Sequence, residues 1–346
     1  MIGALAALFV SSAAPDIHVD FDTSFANAVL AEVCSDGDID EAAIRASETA
    51  QIMVDHFHQF RDDFTMDAYV EARRAAANCE TPERDIFRFA EVIERREELR
   101  AEITLLEDRR EKIGDTIADM LNAYTPAGIS FSGAAVVVTG SPSCGGWSRG
   151  AAFFVDLPCL KGDHDGLTYL AAHETYHAIQ SRFMPGPSES NETLSIFSEI
   201  IREGTASVVA DFSEIDTDGA YTQLSQQIIK TNNRRMDANF DLLNIAFFYL
   251  SNSGDEEASH KVKAIGLSGF FDSPFYAIGA GMTRIIDGAY GRDALLCLMA
   301  APPEQFFLAY DRAAQETDET RLGANVMDAA RKNSSHKNAA SAKACF

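Results

Sequence analysis

The sequence has few basic residues. Lys and Arg number 29 against 53 Asp and Glu in 346 residues, and the formal net charge is −24 at pH 7. Such a surface repels nucleic-acid phosphates and anionic lipid head groups, so we expect no nucleic acid or charged membrane surface as a partner. The hydrophobic content of 46% is ample for a globular core.

Long apolar runs are also missing. Beyond the first residues, no stretch approaches the roughly 18 to 20 apolar residues that span a bilayer, so we expect a soluble mature chain without membrane insertion. Residues 1–14, MIGALAALFVSSAA, have the outline of a short export signal, although no basic residue precedes the apolar run. We predict a signal peptide at 1–14 and an exported protein, periplasmic or secreted; the alternative is an ordinary apolar strand or helix.

Cysteine pairs with C-x-x-C spacing are absent, which argues against a zinc knuckle or a thioredoxin-type redox site. The six cysteines are instead scattered along the chain. In an exported protein, Cys34 with Cys79 and Cys144 with Cys159 are plausible disulfides, because each pair brackets a local unit. In a cytosolic protein all six would be reduced and mostly buried.

Helical periodicity dominates the chain as far as residue 125. Between residues 86 and 121, apolar side chains recur at helical spacing among Glu, Arg and Asp, which predicts a long amphipathic helix. The segments ISFSGAAVVVTG and AAFFVDLP then predict two strands of a short sheet, and helices resume after it. We therefore predict an α+β, predominantly helical fold. It comprises an N-terminal helical region (15–125), a second domain (126–330) and a flexible polar tail (331–346).

The segment AAHETYHAIQ, residues 171–180, contains a His-Glu-x-x-His motif within a predicted helix that Asp165 could cap. His173 and His177 share one helix face and can present two imidazole nitrogens to one metal ion. Glu174 is placed to reach a water on that metal without binding the metal itself. The apolar stripe expected to face the core consists of Tyr169, Ala172, Tyr176, Ile179 and Phe183. The alternative is that both histidines are structural.

A catalytic zinc ion requires a third protein ligand and an open coordination position. The next predicted helix offers Glu203, in REGTAS, and Glu199 one turn earlier. We favour Glu203, because the adjacent Gly204 and Ala206 would let this helix approach the motif helix closely. Glu199 remains the rival candidate.

HETYH followed by EGTA resembles the gluzincin type of zinc metallopeptidase, in which a second helix supplies a Glu ligand. Over residues 130–300 the chain looks most like uncharacterised bacterial zinc-dependent peptidases of that group. The resemblance implies a zincin-like domain at 126–330 with one catalytic zinc ion held by His173, His177 and Glu203. It also implies that Glu174 is the general base and that a metal-activated water hydrolyses a peptide or protein substrate.

Two further segments are expected at the cleft. Such peptidases place an edge strand above the metal, and GAAFFVDLP precedes the motif helix at a suitable distance, so it could align an extended peptide through main-chain hydrogen bonds. SPFYAIGAGM predicts a helix with Ser273 as N-cap, and its small residues permit a close approach to another helix. Tyr276 could then donate a hydrogen bond to the oxyanion, with His164 and His260 as weaker candidates.

The alternative to a peptidase is a non-catalytic helical binding or scaffold protein, or an inactive metallopeptidase homologue. Glu174 separates these hypotheses, because an inactive protein would be free to lose it and this chain retains it with both histidines. The sequence leaves the substrate specificity, the oligomeric state and the role of the N-terminal helices open.

Overall fold

The computed structural model describes residues 13–37, 39–142, 146–186, 188, 191–255, 257–334 and 345. Helices account for 67% of the chain, beside a small mixed sheet of four strands, which confirms the predicted α+β class. Most of the predicted signal segment 1–14 and of the predicted tail 331–346 lies outside the described residues. Cys144, and with it the predicted Cys144–Cys159 disulfide, also lies outside them.

The elements alternate little, because most helices follow one another without an intervening strand. The strands are β1 (Asp16–Asp22), β2 (Ser130–Val138), β3 (Gly146–Arg149) and β4 (Ala152–Asp156). The helices before β2 are α1 (Ser24–Glu32), α2 (Glu41–Ala46), α3 (Glu48–His58), α4 (Met66–Ala77), α5 (Phe89–Glu94) and α6 (Arg96–Asn122). Those after β4 are α7 (Leu157–Leu160), α8 (His164–Phe183), α9 (Glu192–Val209), α10 (Ala220–Arg234), α11 (Met236–Asn252), α12 (Ala258–Gly266), α13 (Pro274–Tyr290), α14 (Arg292–Ala300), α15 (Pro303–Thr317) and α16 (Ala324–Asn333).

The sheet has the strand order β1-β2-β4-β3. β2 pairs in parallel with β1 and β4, whereas β3 runs antiparallel to β4. The inner strands are almost wholly buried where they pair, as with Val137 of β2 and Val155 of β4. Both inner strands read as continuous apolar runs because neither of their faces meets water there.

Strand β1 was not predicted, so the region 15–125 is not helical throughout. Its sequence DIHVDFD alternates, and Ile17, Val19 and Phe21 point into the core while the residues between them are exposed. The long amphipathic helix predicted for this region is confirmed as α6, which packs against β1 and α8. At the contact with β1, a Cβ atom on Gly114 would lie 2.6 Å from the carbonyl oxygen of Val19.

The expected edge strand is in a different place. The GAAFFVDLP segment forms β4, which lies between β2 and β3 and has a partner on each side. The edge next to β4 belongs to β3, which lies between the two predicted strand segments and was not predicted as a strand. β3 packs against α8, so this edge of the sheet lies beside the motif helix.

One hydrophobic cluster extends across the predicted boundary at residue 125. It includes Ile103 of α6 as well as Phe197 of α9 and Tyr310 of α15. The division into two domains stays a prediction. Within the described part of the chain, no helix is both long and apolar enough to cross a membrane.

Among the described residues, two disulfides tie separate parts of the fold. The predicted Cys34–Cys79 bond is confirmed and links the segment after α1 to the segment after α4. A second bond joins Cys297 of α14 to Cys345. It attaches a residue of the predicted polar tail to the helical body.

Candidate metal centre

Helix α8 carries the His-Glu-x-x-His motif. Its N-cap is Asp163, whose carboxylate accepts a hydrogen bond from the backbone N–H of Gly166 at 2.8 Å. The prediction that Asp165 caps the helix is wrong, because Asp165 is already the second helical residue. The predicted apolar stripe is confirmed, with Ala172, Tyr176 and Ile179 buried and Tyr169 and Phe183 packed against the core.

The two histidines and a glutamate of α9 converge. The Nε2 atoms of His173 and His177 lie 3.4 and 3.3 Å from Oε2 of Glu203. Donor atoms of all three residues lie within 4.8 Å of one another. Tetrahedral ligands about 2.0–2.1 Å from a zinc ion are roughly 3.3–3.4 Å apart, and two imidazoles with one carboxylate form a known catalytic zinc set. The spacing and chemistry of this group therefore fit zinc.

Glu199, the rival candidate, has other partners. It precedes Glu203 by one helical turn, and its carboxylate pairs with the ammonium group of Lys263 on α12. The same carboxylate accepts a hydrogen bond from Ser195 Oγ at 3.2 Å. The structure thus brings Glu203, and not Glu199, to the histidines.

Glycines bring α9 close to α13. A Cβ atom on Gly204 would lie 2.4 Å from Gly279 Cα, and one on Gly279 would lie 2.2 Å from the carbonyl oxygen of Ile200. The expectation that Gly204 brings α9 close to α8 is therefore wrong, because its missing side chain makes room for α13. The close helix approach expected for the small residues of α13 is confirmed at Gly279.

Gln180 links the motif helix to the backbone that carries Glu203. Its side chain is fully buried, and its Oε1 lies 2.9 Å from Nδ1 of His177. Its Nε2 donates to the carbonyl oxygen of Arg202 at 2.8 Å and to Thr205 Oγ1 at 2.7 Å. Because Nε2 of Gln180 faces a carbonyl oxygen, its Oε1 is the atom that accepts from Nδ1 of His177. Nε2 of His177 therefore faces Glu203, and its lone pair is available to a metal ion when the imidazole is neutral.

The role of Gln180 was not predicted from the sequence, although this residue is the last one of the segment AAHETYHAIQ. The signal that could have found it is a polar side chain placed one helical turn after His177. A buried amide of this kind requires partners for both of its ends, and a histidine ligand requires a partner for its second nitrogen.

The site is electrostatically coupled. Burial lowers the pKa of His177, but the neighbouring Glu203 carboxylate outweighs this effect and raises that pKa to about 9. For the Glu203 carboxyl, burial alone would raise the pKa, but the two neighbouring imidazoles hold it well below its usual range. A positive charge is thus strongly favoured between these side chains, whether as a proton or as a metal ion.

Glu174 and Tyr276 lie beside the converging donors. Burial raises the pKa of the Glu174 carboxyl above its ordinary value, against the opposing effect of the two histidines. Burial, together with the charges of Glu203 and Glu174, raises the pKa of Tyr276 well above its ordinary value, so its phenol stays protonated.

The predicted N-cap Ser273 precedes α13, but it has a left-handed backbone and makes no side-chain cap hydrogen bond.

Two cavities meet at these residues, since His173, Glu174 and Tyr276 line both. The first, about 520 Å³, extends over the histidines and Glu203 toward the sheet edge and is also lined by Ser148 of β3. The second, about 320 Å³, extends away from them toward α10. His164 and His260 do not line either cavity. The arrangement is a cleft with the candidate metal site on its floor.

The fold and the site define a class. A helical α+β protein with His-Glu-x-x-His on one helix and a converging glutamate on the next is a candidate metal-dependent hydrolase. The family model described as "Putative zinc dependent peptidase (DUF5700)" matches residues 42–319, and the chain belongs to this family. The description supports zinc as the cofactor and peptide-bond hydrolysis as the reaction. No curated protein and no solved structure matches the chain.

Proposed function

We propose that this protein is a zinc-dependent peptidase of the gluzincin type. One zinc ion is held by His173, His177 and Glu203, and Glu174 is the general base. The observation that carries the proposal is the convergence of two Nε2 atoms on one carboxylate oxygen at 3.3 and 3.4 Å, with Glu174 between the two histidines in sequence. The family description supports both the metal and the reaction class.

Each protein group then has a defined task. Zinc in this position supplies a Lewis acid that lowers the pKa of water from 15.7 to about 7. Glu174 accepts the proton of the attacking water and passes it to the leaving amine, and its raised pKa brings its basicity nearer to neutral pH. The phenol of Tyr276, which stays protonated, donates a hydrogen bond to the substrate oxygen as negative charge develops there.

The sheet edge supports a peptide or protein substrate. β3 pairs with β4 on one side only within the described sheet. Its Ser148 lines the cavity above the histidines. An extended peptide could therefore add to β3 through main-chain hydrogen bonds, which would bring a scissile carbonyl toward the metal site. This antiparallel edge beside α8 also supports a zincin-like arrangement.

The cysteines support an exported location. Cys34–Cys79 and Cys297–Cys345 are both bonded. Such bonds persist in oxidising compartments and are rare in the cytosol of mesophiles. We therefore retain a periplasmic or secreted location as part of the proposal.

Substitution Glu174→Gln tests the proposed base. The variant should keep the zinc content of the wild type, because Glu174 does not bind the metal, while hydrolysis of an unbiased peptide library should fall roughly 10²- to 10⁴-fold. Glu199→Gln is the matched control on the neighbouring helix and should cleave as the wild type does. Retained cleavage by Glu174→Gln would place the base elsewhere, and a zinc-loaded wild type without activity would favour an inactive homologue.

A further inference from the structure

The cavity of about 320 Å³ beside Glu174 has walls that the proposed chemistry does not use. Its lining includes Leu170 of α8, Phe212 in the segment after α9, and Ala277 and Ala280 of α13. A volume near 320 Å³ lies at the lower end of the roughly 300–1,000 Å³ range of ligand pockets. It suits one large side chain better than a bulky cofactor.

Helix α10 forms the outer wall and is anchored near its two ends. At its start, the Asp163 carboxylate accepts from the backbone N–H of Thr222 at 2.7 Å and from its hydroxyl at 3.2 Å. Toward its end, Asn232 Nδ2 donates to the carbonyl oxygen of Asp272 at 2.7 Å. Thr222 and Asn232 are the only fully buried residues of α10 among those described. Between these ends, Gln226 Nε2 donates to the carbonyl oxygens of Phe212 and Ile215 at 3.1 and 2.8 Å. The helix is therefore held by a small number of polar contacts.

One face of α10 presents apolar side chains to the cavity. Tyr221, Ile228 and Ile229 line it, and they recur at the spacing of one helix face. An amphipathic helix ordinarily buries such a face against another element. Here the face meets a cavity, so an apolar guest would complete its burial.

The charged groups in this lining, other than Glu174, are already paired. Asp211 accepts from Arg284 at 2.6 Å, and Asp272 pairs with Arg235 at 3.2 Å. The amide of Asn232 is also engaged, since its Oδ1 accepts from Asn239 at 3.0 Å. An aspartate side chain entering the cavity would lose water without gaining an unpaired cation in this lining. For a lysine side chain, the carboxylate left unpaired is that of Glu174, which the proposed chemistry already uses.

We infer that this cavity is a specificity pocket that receives a large apolar side chain, aromatic or branched aliphatic, from the residue flanking the scissile bond. The inference rests on the proposed peptidase function, because the cavity opens beside Glu174 and Tyr276. The neighbouring cavity at the sheet edge would then hold the substrate main chain.

Binding of single capped amino acids tests the pocket without hydrolysis. N-acetyl-phenylalanine amide should bind the zinc-loaded protein roughly ten- to a hundredfold more tightly than the alanine or lysine amides, as measured by NMR titration. Ser225→Phe would fill the cavity from α10 and should remove this preference. Gln227→Phe adds the same ring on the exposed side of α10 and should leave it unchanged. Ile229→Asn, a smaller change, should weaken phenylalanine amide binding if Ser225→Phe fails to fold.

Cleavage profiles give a second readout on the same variants. The wild type should cleave library peptides beside large apolar residues, and Ser225→Phe should shift the profile to small residues. Equal binding of the three amides, or a preference that survives both pocket variants, would overturn the pocket. Selective binding by a protein that cleaves no peptide would count against the peptidase function and would still support the pocket.

Discussion

The floor of the cleft consists of the parts of α8, α9 and α13 that carry the metal-site residues, and its outer wall is α10. Different interactions hold the floor and the wall in place. On the floor, α9 meets α13 through Gly204 and Gly279 with their backbones in contact. The wall helix α10 has two fully buried residues, both polar. The floor is therefore fixed by close packing and the wall by a few hydrogen bonds. This difference suits a floor that must hold ligands to a fraction of an ångström and a wall that only shapes a pocket.

The largest expected effect comes from breaking the packing of the floor. Gly279→Ala places a Cβ atom 2.2 Å from the carbonyl oxygen of Ile200, which forces two backbones apart and should lower the free energy of unfolding by about 3 kcal/mol. Gly281→Ala is the control on the same helix, because its Cβ atom would meet Met236 Cε at an ordinary contact distance of 4.0 Å. It should stabilise the protein by up to about 1 kcal/mol through helix propensity. Equal effects in urea unfolding would contradict the account of the floor.

On α6, which packs against the motif helix, Glu102 should make stability depend on pH. Burial raises the pKa of this carboxyl to about 7, so the native state binds more protons than the unfolded state between about pH 4.5 and 7. The free energy of unfolding should fall by up to about 3 kcal/mol as the pH rises through that window. Glu102→Gln should reduce this fall while leaving zinc content unchanged. Urea unfolding at several pH values measures this pH dependence. If the free energy of unfolding of Glu102→Gln falls with pH as steeply as that of the wild type, Glu102 is not its source.

Gln180 should determine how well the floor holds its metal. Gln180→Leu removes the acceptor for His177 Nδ1 and should weaken zinc binding roughly 10- to 100-fold, as measured by competition with a chelator. Ser181→Ala, at the adjacent exposed position, should bind zinc as the wild type does. Wild-type affinity in Gln180→Leu would show that this hydrogen bond does not orient the histidine.

The smallest effect should appear in the wall. Asp163→Ala removes the carboxylate that accepts hydrogen bonds from both α8 and α10. The substitution should lower the free energy of unfolding by about 1–2 kcal/mol. Hydrogen exchange should accelerate mainly in α10, with α9 little changed. Asp165→Ala, the residue first expected to cap α8, should have little effect. Equal acceleration of hydrogen exchange in α9 and α10 would contradict the distinction between floor and wall.

Local patterns predicted most of the floor. The four-residue spacing places His173 and His177 on one helix face, as helix geometry requires. The prediction of Glu203 agrees with the position of its carboxylate, although the reason for it, a close approach of α9 to α8 at Gly204, is wrong. The helical class, the long α6 and the Cys34–Cys79 bond also followed from periodicity and spacing.

The remaining features depend on partners that are distant in sequence. β1 becomes a strand by pairing with residues 130–136, and the edge position of β3 depends on strand order. Gly204 faces Gly279 and not α8, which only the folded packing decides. Asp163 outcompetes Asp165 as a cap because it also meets Thr222 of α10. The features that the sequence did not predict therefore depend on which of several suitable partners a residue contacts in the folded chain.

Zinc stoichiometry is the most direct test of the central claim. Elemental analysis of the wild type, Glu203→Ala and Glu199→Ala should give one zinc ion per chain for the wild type and for Glu199→Ala. Glu203→Ala should lose most of its zinc, because one of three ligands is gone. A wild type that stays metal-free after zinc addition, or equal zinc in all three proteins, would contradict the site.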